Sequence, residues 1–205
     1  SLLVKSGTAR IWGGTFHHVG NRILRRHGRK LGISPDFTIL DSEDSRDLIK
    51  SCIPEAGIEV GRRRFPQKSV LAKMSSFVQN TLEPIEKVLD RRYPMFRDDV
   101  EDIRKVLDLY AEKKRTRQLL DYDDLLTGWL TLMTEHDDVR RSLSGQFEHV
   151  LVDEYQDTNA IQGAICDLVA GEHRNLCVVG DDAQSIYSFR GASFENIIRI
   201  KERYP

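Results

Sequence analysis

The sequence predicts an α/β fold in which a small parallel sheet is interrupted by a long, all-helical insertion. Residues 8–12 have the character of a short strand, and a Gly-Gly turn follows with Thr15 placed to cap a helix. Residues 36–135 show helical periodicity, and residues 147–179 show a strand–helix–strand pattern. We therefore predict that residues 1–20 and 144–205 form the sheet domain and that residues 21–143 form the insertion.

Apolar side chains at helical spacing define the helices of the insertion. Asp41 is placed to cap the first helix and Asp121 to cap the last, where carboxylates favour the positive end of the helix dipole. We expect these stripes to form core rather than a binding surface. Their members are Leu48, Ile49, Cys52 and Ile53; Val70, Leu71, Met74, Phe77 and Val78; Val100, Ile103, Leu107 and Tyr110; and Leu125, Leu126, Trp129 and Leu130.

The strand–helix–strand pattern predicts a parallel strand pair. Apolar, β-branched runs at residues 147–152 and 176–179 flank a helical stretch at residues 160–170, which Gly171 is placed to end. A crossover of this length favours parallel strands, so both strands end at the same edge of the sheet. Ligands bind at that edge in open α/β sheets, which makes the two following loops the candidate site.

Composition excludes several other classes of protein. The 205 residues are 40% hydrophobic and 31% charged, which suits one or two globular domains. We find neither a bilayer-spanning apolar run nor a secretion pattern, so we predict a cytoplasmic protein that does not contact membranes. Three widely separated cysteines predict buried free thiols rather than disulfides or a zinc site. They are Cys52, Cys166 and Cys177.

The net charge of −1 means that nucleic-acid binding has to be argued from local patches. Three basic clusters are present, although a solvated helix face explains any one of them more simply. They are Arg22, Arg25, Arg26, Arg29 and Lys30; Arg62, Arg63 and Arg64; and Lys113, Lys114, Arg115 and Arg117.

Acidic residues follow both predicted strands of the last segment. Asp153-Glu154-Tyr155-Gln156-Asp157 comes after the first strand and Gly180-Asp181-Asp182-Ala183-Gln184-Ser185 after the second, so five carboxylates and two amides are predicted to converge on one edge. Adjacent carboxylates suit two tasks, since one holds Mg²⁺ and the next accepts a proton from water. We assign Asp153 to the metal and Glu154 to the base. A hydrated strand end explains an isolated acidic pair equally well, so the assignment depends on the second loop at the same edge. We predict that Asp153 and Gln184 share one pocket there.

Four segments together resemble the UvrD/Rep/PcrA helicases of superfamily 1. DEYQDTN at 153–159 is similar to that family's motif II, and GDDAQSIYSFRGA at 180–192 is similar to its motif III. GTFH at 14–17 and DYDDLL at 121–126 match two further family segments in the same order. The resemblance implies that the sheet domain is an incomplete RecA-like domain of the P-loop NTPase type.

The resemblance also implies roles, cofactors and partners. It implies that Asp153 and Glu154 bind Mg²⁺ and activate water and that Gln184 senses the γ-phosphate of ATP. Thr15, Phe16 and His17 match one DNA-contacting segment, and Tyr187, Phe189 and Arg190 match another. Aromatic and arginine side chains suit contacts that do not depend on base sequence, whereas Phe16 or Tyr187 alone would more simply be core residues. The implied partners are single-stranded and duplex DNA, with DNA repair proteins as candidates.

The chain departs from the family pattern in four places. It has no GxxxxGK[ST] phosphate loop and no second motor domain after residue 205. His18-Val19-Gly20 differs from the family after GTFH, and the segment around Met74 to Phe77 lacks the family's lysine. Ser1 and Tyr204-Pro205 look like boundaries within a longer protein. We therefore expect this chain alone to be inactive.

The expected activity belongs to the longer protein. It is ATP-dependent translocation on single-stranded DNA, 3′ to 5′ by resemblance, with duplex unwinding in repair or replication restart. Two alternatives remain open from the sequence. One is a non-hydrolysing module that binds DNA or a repair partner, and the other is the motor part of a helicase–nuclease.

Overall fold

The structure is a computed structural model, and it describes residues 11–59, 65–181, 200 and 204. This part of the chain is rich in helix and contains two small parallel strand pairs. Three short 3₁₀ turns, at Gly28–Leu31, Pro94–Asp99 and Tyr155–Asp157, join the longer elements. The elements are α1 Phe16–His27, β1 Thr38–Ile39, α2 Ser42–Glu55, α3 Lys68–Thr81, α4 Ile85–Arg92, α5 Val100–Thr116, β2 Leu119–Leu120, α6 Tyr122–Glu135, α7 Asp137–Gln146, β3 Val150–Val152, α8 Ala160–Ala170 and β4 Leu176–Val178.

The helix starts predicted from capping residues are confirmed. The Thr15 hydroxyl accepts a hydrogen bond from the His18 N–H at 3.2 Å and begins α1. Asp41 accepts from two N–H groups of the first turn of α2, at 2.7 and 2.8 Å. Asp121 forms a reciprocal capping box with Asp124 at the start of α6. Each cap pairs backbone donors that the first turn of a helix leaves without partners.

The predicted parallel pair of the last segment is confirmed as β3 and β4, which pair in the register Val150↔Leu176 to Val152↔Val178. The prediction that the insertion is all-helical is wrong, because β1 and β2 form a second parallel pair within it. The Thr38 N–H donates to the Gln118 carbonyl at 3.1 Å, and the Leu40 N–H donates to the Leu120 carbonyl at 2.8 Å. The two extended connectors thus pair backbone groups that would otherwise lack partners.

The predicted strand at residues 8–12 is not seen where the structure describes it. Residues 8–10 lie outside the described residues, and Ile11 and Trp12 are not in a strand. The Trp12 ring instead meets the edge of Phe147 with centroids 5.1 Å apart, and the Arg22 guanidinium lies 3.7 Å from the Trp12 ring centre. These side-chain contacts fix Trp12 against the core.

Two main hydrophobic cores organise the described residues. The first core contains side chains from α1, α6, α7 and α8, and the second contains side chains from α2, α3, α4 and α5. The first core joins all three predicted segments of the chain, and their boundaries remain a prediction. A third, smaller cluster lies beneath β3 and includes the fully buried Tyr155. Among the described residues, no helix is long and apolar enough to cross a membrane.

The contact between α1 and α6 predicts a strong effect at Gly20. A Cβ atom at Gly20 would lie 2.8 Å from the Leu125 carbonyl oxygen, closer than real Cβ atoms come, so the helices would have to separate. We expect Gly20→Ala to lower the free energy of unfolding by about 1–3 kcal/mol, which is typical of overpacking. Urea denaturation of the chain measures this effect.

Gly145→Ala is the matched control for that substitution. Gly145 also lies inside a helix, and a Cβ there would meet nothing within 4 Å. Alanine should stabilise this position by about 0.5–1 kcal/mol, because glycine has the greater conformational freedom to lose. Equal effects of the two substitutions would contradict the close packing of α1 on α6.

Candidate active site

The loops that follow β3 and β4 are joined at one edge of the sheet. The Val179 N–H donates to the Val152 carbonyl at 2.8 Å, and the Tyr155 N–H donates to the Val179 carbonyl at 2.9 Å. These bonds continue the strand pairing into the loops. Asp153, Glu154 and Asp181 therefore follow the carboxyl ends of two paired strands, as the sequence predicted for the described part of both loops.

Gln156 holds the two loops together through its buried amide, which is 1% exposed. Its Nε2 donates to Glu154 Oε2 at 2.6 Å, and its Oε1 accepts from the Asp181 N–H at 3.1 Å. One side chain thus orients the Glu154 carboxylate and fixes the start of the second loop. Sequence reasoning counted this amide at the site but gave it no task. The feature of the sequence that could have indicated this role is an uncharged polar residue, Gln156, within an acidic run.

Glu154 has a left-handed backbone conformation, with φ 52° and ψ 44°. For a residue other than glycine this conformation costs about 1–3 kcal/mol, and such residues concentrate at functional sites. The turn is held by the Asp157 N–H, which donates to the Glu154 carbonyl at 2.9 Å, and by Tyr155, which is fully buried. The side chains of Asp153 and Glu154 are exposed, so both carboxylates are accessible to a ligand.

A cavity of about 500 Å³ opens beside these carboxylates. Asp153 and Glu154 line it together with Thr15, Phe16 and His17, the segment before and at the start of α1. Two groups of predicted site residues that lie far apart in the sequence therefore share one cavity. The Thr15 hydroxyl is used as the cap of α1, and Phe16 is partly buried against Trp129 with ring centroids 6.5 Å apart.

His17 lies between the cavity and the start of α6. Burial lowers the pKa of His17, although the Asp123 carboxylate acts in the opposite direction. The net shift favours the neutral form of the ring. The rings of His17 and Tyr122 pack edge to face, with centroids 5.8 Å apart. Tyr122 is an exposed aromatic residue that the sequence did not predict as part of the site.

Four predicted site residues lie outside the described residues. They are Gln184, Tyr187, Phe189 and Arg190. The shared pocket that we predicted for Asp153 and Gln184 therefore stays a prediction. Arg62, Arg63 and Arg64, the second basic cluster, also lie outside.

The other basic clusters are largely engaged in contacts within the chain. Arg25 donates to the Pro35 carbonyl at 2.6 Å, and Lys30 pairs with Asp138 at 2.9 Å. Lys114 is buried between Asp121 and Asp124. These partners weaken the case that the clusters are free surfaces for a nucleic acid.

The cysteine prediction is partly wrong. Cys52 and Cys166 are buried free thiols, as predicted, but Cys177 is exposed. Side chains alternate along a strand, and Cys177 pairs with the exposed Leu151 on the outer face of the β3–β4 pair. No part of the described chain covers that face at these two positions.

The exposed carboxylates are chemically suited to Mg²⁺. This ion keeps several waters and is held by one or two carboxylates together with substrate phosphates, rather than by a cage of protein ligands. Asp153 and Glu154 supply accessible oxygen donors beside a cavity large enough for a ligand. Over residues 11–59 and 65–181, no cluster of three or more metal-binding side chains is present.

The fold and the candidate site define a helix-rich α/β protein with exposed carboxylates at the carboxyl edge of parallel strands. Comparison with known families makes the identification: the chain matches the UvrD/REP helicase N-terminal domain over residues 1–205 and belongs to that family.

Individual relatives agree with this assignment. The chain is 35% identical over 207 residues to the ATP-dependent DNA helicase PcrA of Leuconostoc citreum, covering 100% of this chain and 27% of the relative. It is 37% identical over 204 residues to the ATP-dependent DNA helicase PcrA of Bacillus subtilis (strain 168), covering 97% of this chain and 26% of the relative. The chain thus spans about a quarter of the length of these relatives.

Proposed function

We propose that this chain is the part of an ATP-dependent DNA helicase that carries the carboxylates for Mg²⁺ and for water activation. The observation that carries the proposal is the bridge made by Gln156, which joins Glu154 to the loop after β4. This bridge lies at the sheet edge where α/β proteins bind ligands. Family membership and relatives named as DNA helicases support the same activity.

Each carboxylate has one task in this proposal. Asp153 would hold Mg²⁺, and Glu154 would accept a proton from the attacking water. The hydrogen bond from Gln156 holds one Glu154 oxygen in place and leaves the other to act as the base. When bound there, ATP and Mg²⁺ would supply the phosphoryl group and the electrostatic stabilisation of its transfer. Gln184 is proposed to sense the γ-phosphate, by resemblance to the family.

DNA is proposed to bind next to the same cavity. Thr15, Phe16 and His17 form one contact segment, and Tyr187, Phe189 and Arg190 form the other by resemblance. A neutral His17 can stack on a base or share a hydrogen bond without a fixed charge, which suits a motor that slides along the strand. The exposed Tyr122 ring beside His17 extends this surface.

The sheet domain is proposed to be an incomplete RecA-like domain formed by residues 1–20 and 144–205, with residues 21–143 as the insertion. The exposed outer face of β3 and β4 supports this view. Leu151 in β3 is 76% exposed, and Val179, directly after β4, is 60% exposed, so large apolar side chains face solvent here. Further parts of the longer protein would cover this face and complete the sheet.

The remaining functional assignments are also proposals. They are 3′ to 5′ translocation on single-stranded DNA, unwinding of duplex DNA in repair or replication, contacts with DNA repair proteins, and a cytoplasmic location. Because the sequence contains no GxxxxGK[ST] motif, we propose that this chain alone does not hydrolyse ATP.

ATPase and strand-separation assays on the longer protein test the proposal. We expect hydrolysis that depends on Mg²⁺, increases with single-stranded DNA, and drives separation of a duplex with a 3′ single-stranded tail. We expect this chain alone to hydrolyse ATP no faster than its own Glu154→Gln variant. DNA binding by the longer protein without hydrolysis would overturn the helicase assignment and favour a binding module.

A further inference from the structure

A chain of buried hydrogen bonds connects the acidic loop to two helices outside the sheet. Asn159 Nδ2 donates to Asn80 Oδ1 at 2.6 Å, and Asn80 Nδ2 donates to Asp123 Oδ1 at 2.7 Å. Asn80 is 9% exposed and Asn159 is 8% exposed, so solvent competes little for these groups. Three polar side chains, from α3, α6 and the start of α8, therefore form one connected network.

The first end of the network is fixed to the candidate active site. Asn159 begins α8, where its side chain accepts from the Gln162 N–H at 2.9 Å and its own N–H donates to the Gln162 side chain at 3.0 Å. The preceding Thr158 hydroxyl donates to the Tyr155 carbonyl at 2.6 Å. These bonds leave the amide of Asn159 little freedom to rotate, so a shift of the acidic loop moves it.

The second end lies beside the segment that we propose to contact DNA. Asp123 interacts electrostatically with His17, and its chain neighbour Tyr122 packs against the His17 ring. Asp123 itself is held near the start of α6 by the Asn80 amide. A displacement of His17 by bound single-stranded DNA would therefore shift the first turn of α6, including Asp123.

Asn80 is the residue on which the connection depends. Its amide donates to Asp123 and to the Ser76 carbonyl, at 2.7 and 2.8 Å, while its oxygen accepts from Asn159. Only a side chain with both a donor and an acceptor can make these contacts at once. The neighbouring helices α6 and α8 also pack directly on each other through the first core, so the amide adds a directional link to an existing contact.

We propose that Asn80 is a positioning residue that couples the Thr15–His17 segment to Glu154, so that DNA binding at that segment accelerates ATP hydrolysis. The proposal rests on the function proposed above. The coupling passes from His17 to Asp123, then through Asn80 to Asn159 and the acidic loop. Asn80 touches neither the nucleotide nor the DNA in this scheme.

The decisive variant is Asn80→Asp in the longer protein. It replaces the donor that faces Asp123 with a carboxylate, so two like charges meet in a buried site, while the bond from Asn159 can persist. We expect ATPase activity without DNA to stay within about twofold of the unmodified protein, and the stimulation by single-stranded DNA to fall about tenfold, within the usual range for coupling between sites.

The double variant Asn80→Asp with Asp123→Asn provides the rescue. Its new amide at position 123 can donate to the new carboxylate at position 80, which still accepts from Asn159. The link from position 123 to Asn159 is thereby restored, while the bond to the Ser76 carbonyl stays lost in both variants. We expect DNA stimulation to recover. Gln79→Glu is the matched control, because it makes the same chemical change one residue earlier, where the amide contacts only the Ser75 hydroxyl at 3.4 Å among the described bonds.

Four outcomes separate this proposal from the function on which it rests. If the unmodified longer protein shows no DNA-stimulated hydrolysis, the proposed function fails. If it does, and Asn80→Asp keeps full stimulation, the coupling proposal fails. Equal losses with and without DNA, or no recovery in the double variant, would show a merely structural role and also overturn it. Should Asn80→Asp not fold, Asn80→Ser removes the bridge without adding charge and is expected to lose stimulation in the same way.

Discussion

Glu154→Gln in the longer protein is expected to lower the rate of ATP hydrolysis at least about a hundredfold while leaving nucleotide affinity nearly unchanged. The loss follows because an amide cannot accept the proton from the attacking water, and general-base catalysis contributes about 10²–10⁴-fold. Binding should persist because the new amide oxygen can still accept the bond from Gln156 that orients the loop. Steady-state ATPase rates and titration with a fluorescent nucleotide measure the two quantities.

Glu148→Gln is the control for this substitution. Glu148 is an exposed carboxylate that precedes β3, at the opposite end of the strand from Glu154. We expect it to retain normal hydrolysis. A Glu154→Gln protein that loses binding and turnover together would show that this carboxylate holds the ligand rather than activating water.

Lys114→Met is expected to destabilise the chain by about 3–5 kcal/mol, the usual cost of removing one partner of a buried ionic group. The Lys114 side chain is 5% exposed, and its Nζ lies 2.5 Å from Asp121 Oδ2 and 2.6 Å from Asp124 Oδ2. Methionine matches the length of the stem but leaves two buried carboxylates facing each other. Urea denaturation at pH 7.5 measures the difference.

Lys105→Met is the matched control, because Lys105 is 62% exposed and pairs with Asp102 on the surface of the same helix. We expect its effect to stay within about 1 kcal/mol, as for other surface ion pairs. A similar loss of stability in both variants would show that the ion pairs of Lys114 with Asp121 and Asp124 are not the source of its stabilising effect.

The destabilisation by Lys114→Met should shrink as the pH falls. Burial opposes ionisation of Asp121, but Lys114 outweighs that effect and lowers the pKa of Asp121. The stability that comes from the lowered pKa of Asp121 is fully present at pH values above the pKa of this group in the unfolded chain, and it is lost as the pH falls through the folded pKa. Burial and then Asp121 raise the pKa of Asp124 to about 6, although Lys114 acts against them. Without Lys114, the free-energy cost of burying the ionised Asp121 and Asp124 is greatest at neutral pH. The difference in the free energy of unfolding between the unmodified chain and Lys114→Met should therefore be smaller at pH 5 than at pH 7.5.

Local chemistry accounts for what the sequence predicted well. Thr15, Asp41 and Asp121 cap helices through bonds to residues two or three positions away, so the sequence nearby contains the necessary information. The β3–β4 pair was predictable because an amphipathic helix of suitable length separates two apolar runs. Asp153 and Glu154 followed from their position after the first of those runs.

Contacts between distant segments account for what the sequence did not predict. The β1–β2 pair has two residues in each strand and joins Thr38 to Leu119, so no local pattern indicates it. Asn80 bonds to residues 43 and 79 positions away, and nothing in its own helix marks it as different from other polar residues. The predicted pocket shared by Asp153 and Gln184 depends on residues outside those described.

The pairing of β1 with β2 also bears on how this chain could change during evolution. The strands lie side by side at the points where the polypeptide enters and leaves the block formed by α2 to α5. A block whose two ends are adjacent can be lengthened, shortened or replaced by a different helical block without moving the first core. Such an exchange would have to reproduce the amide of Asn80, which joins the block to Asp123 and Asn159, and the ammonium of Lys114, which pairs with Asp121 and Asp124.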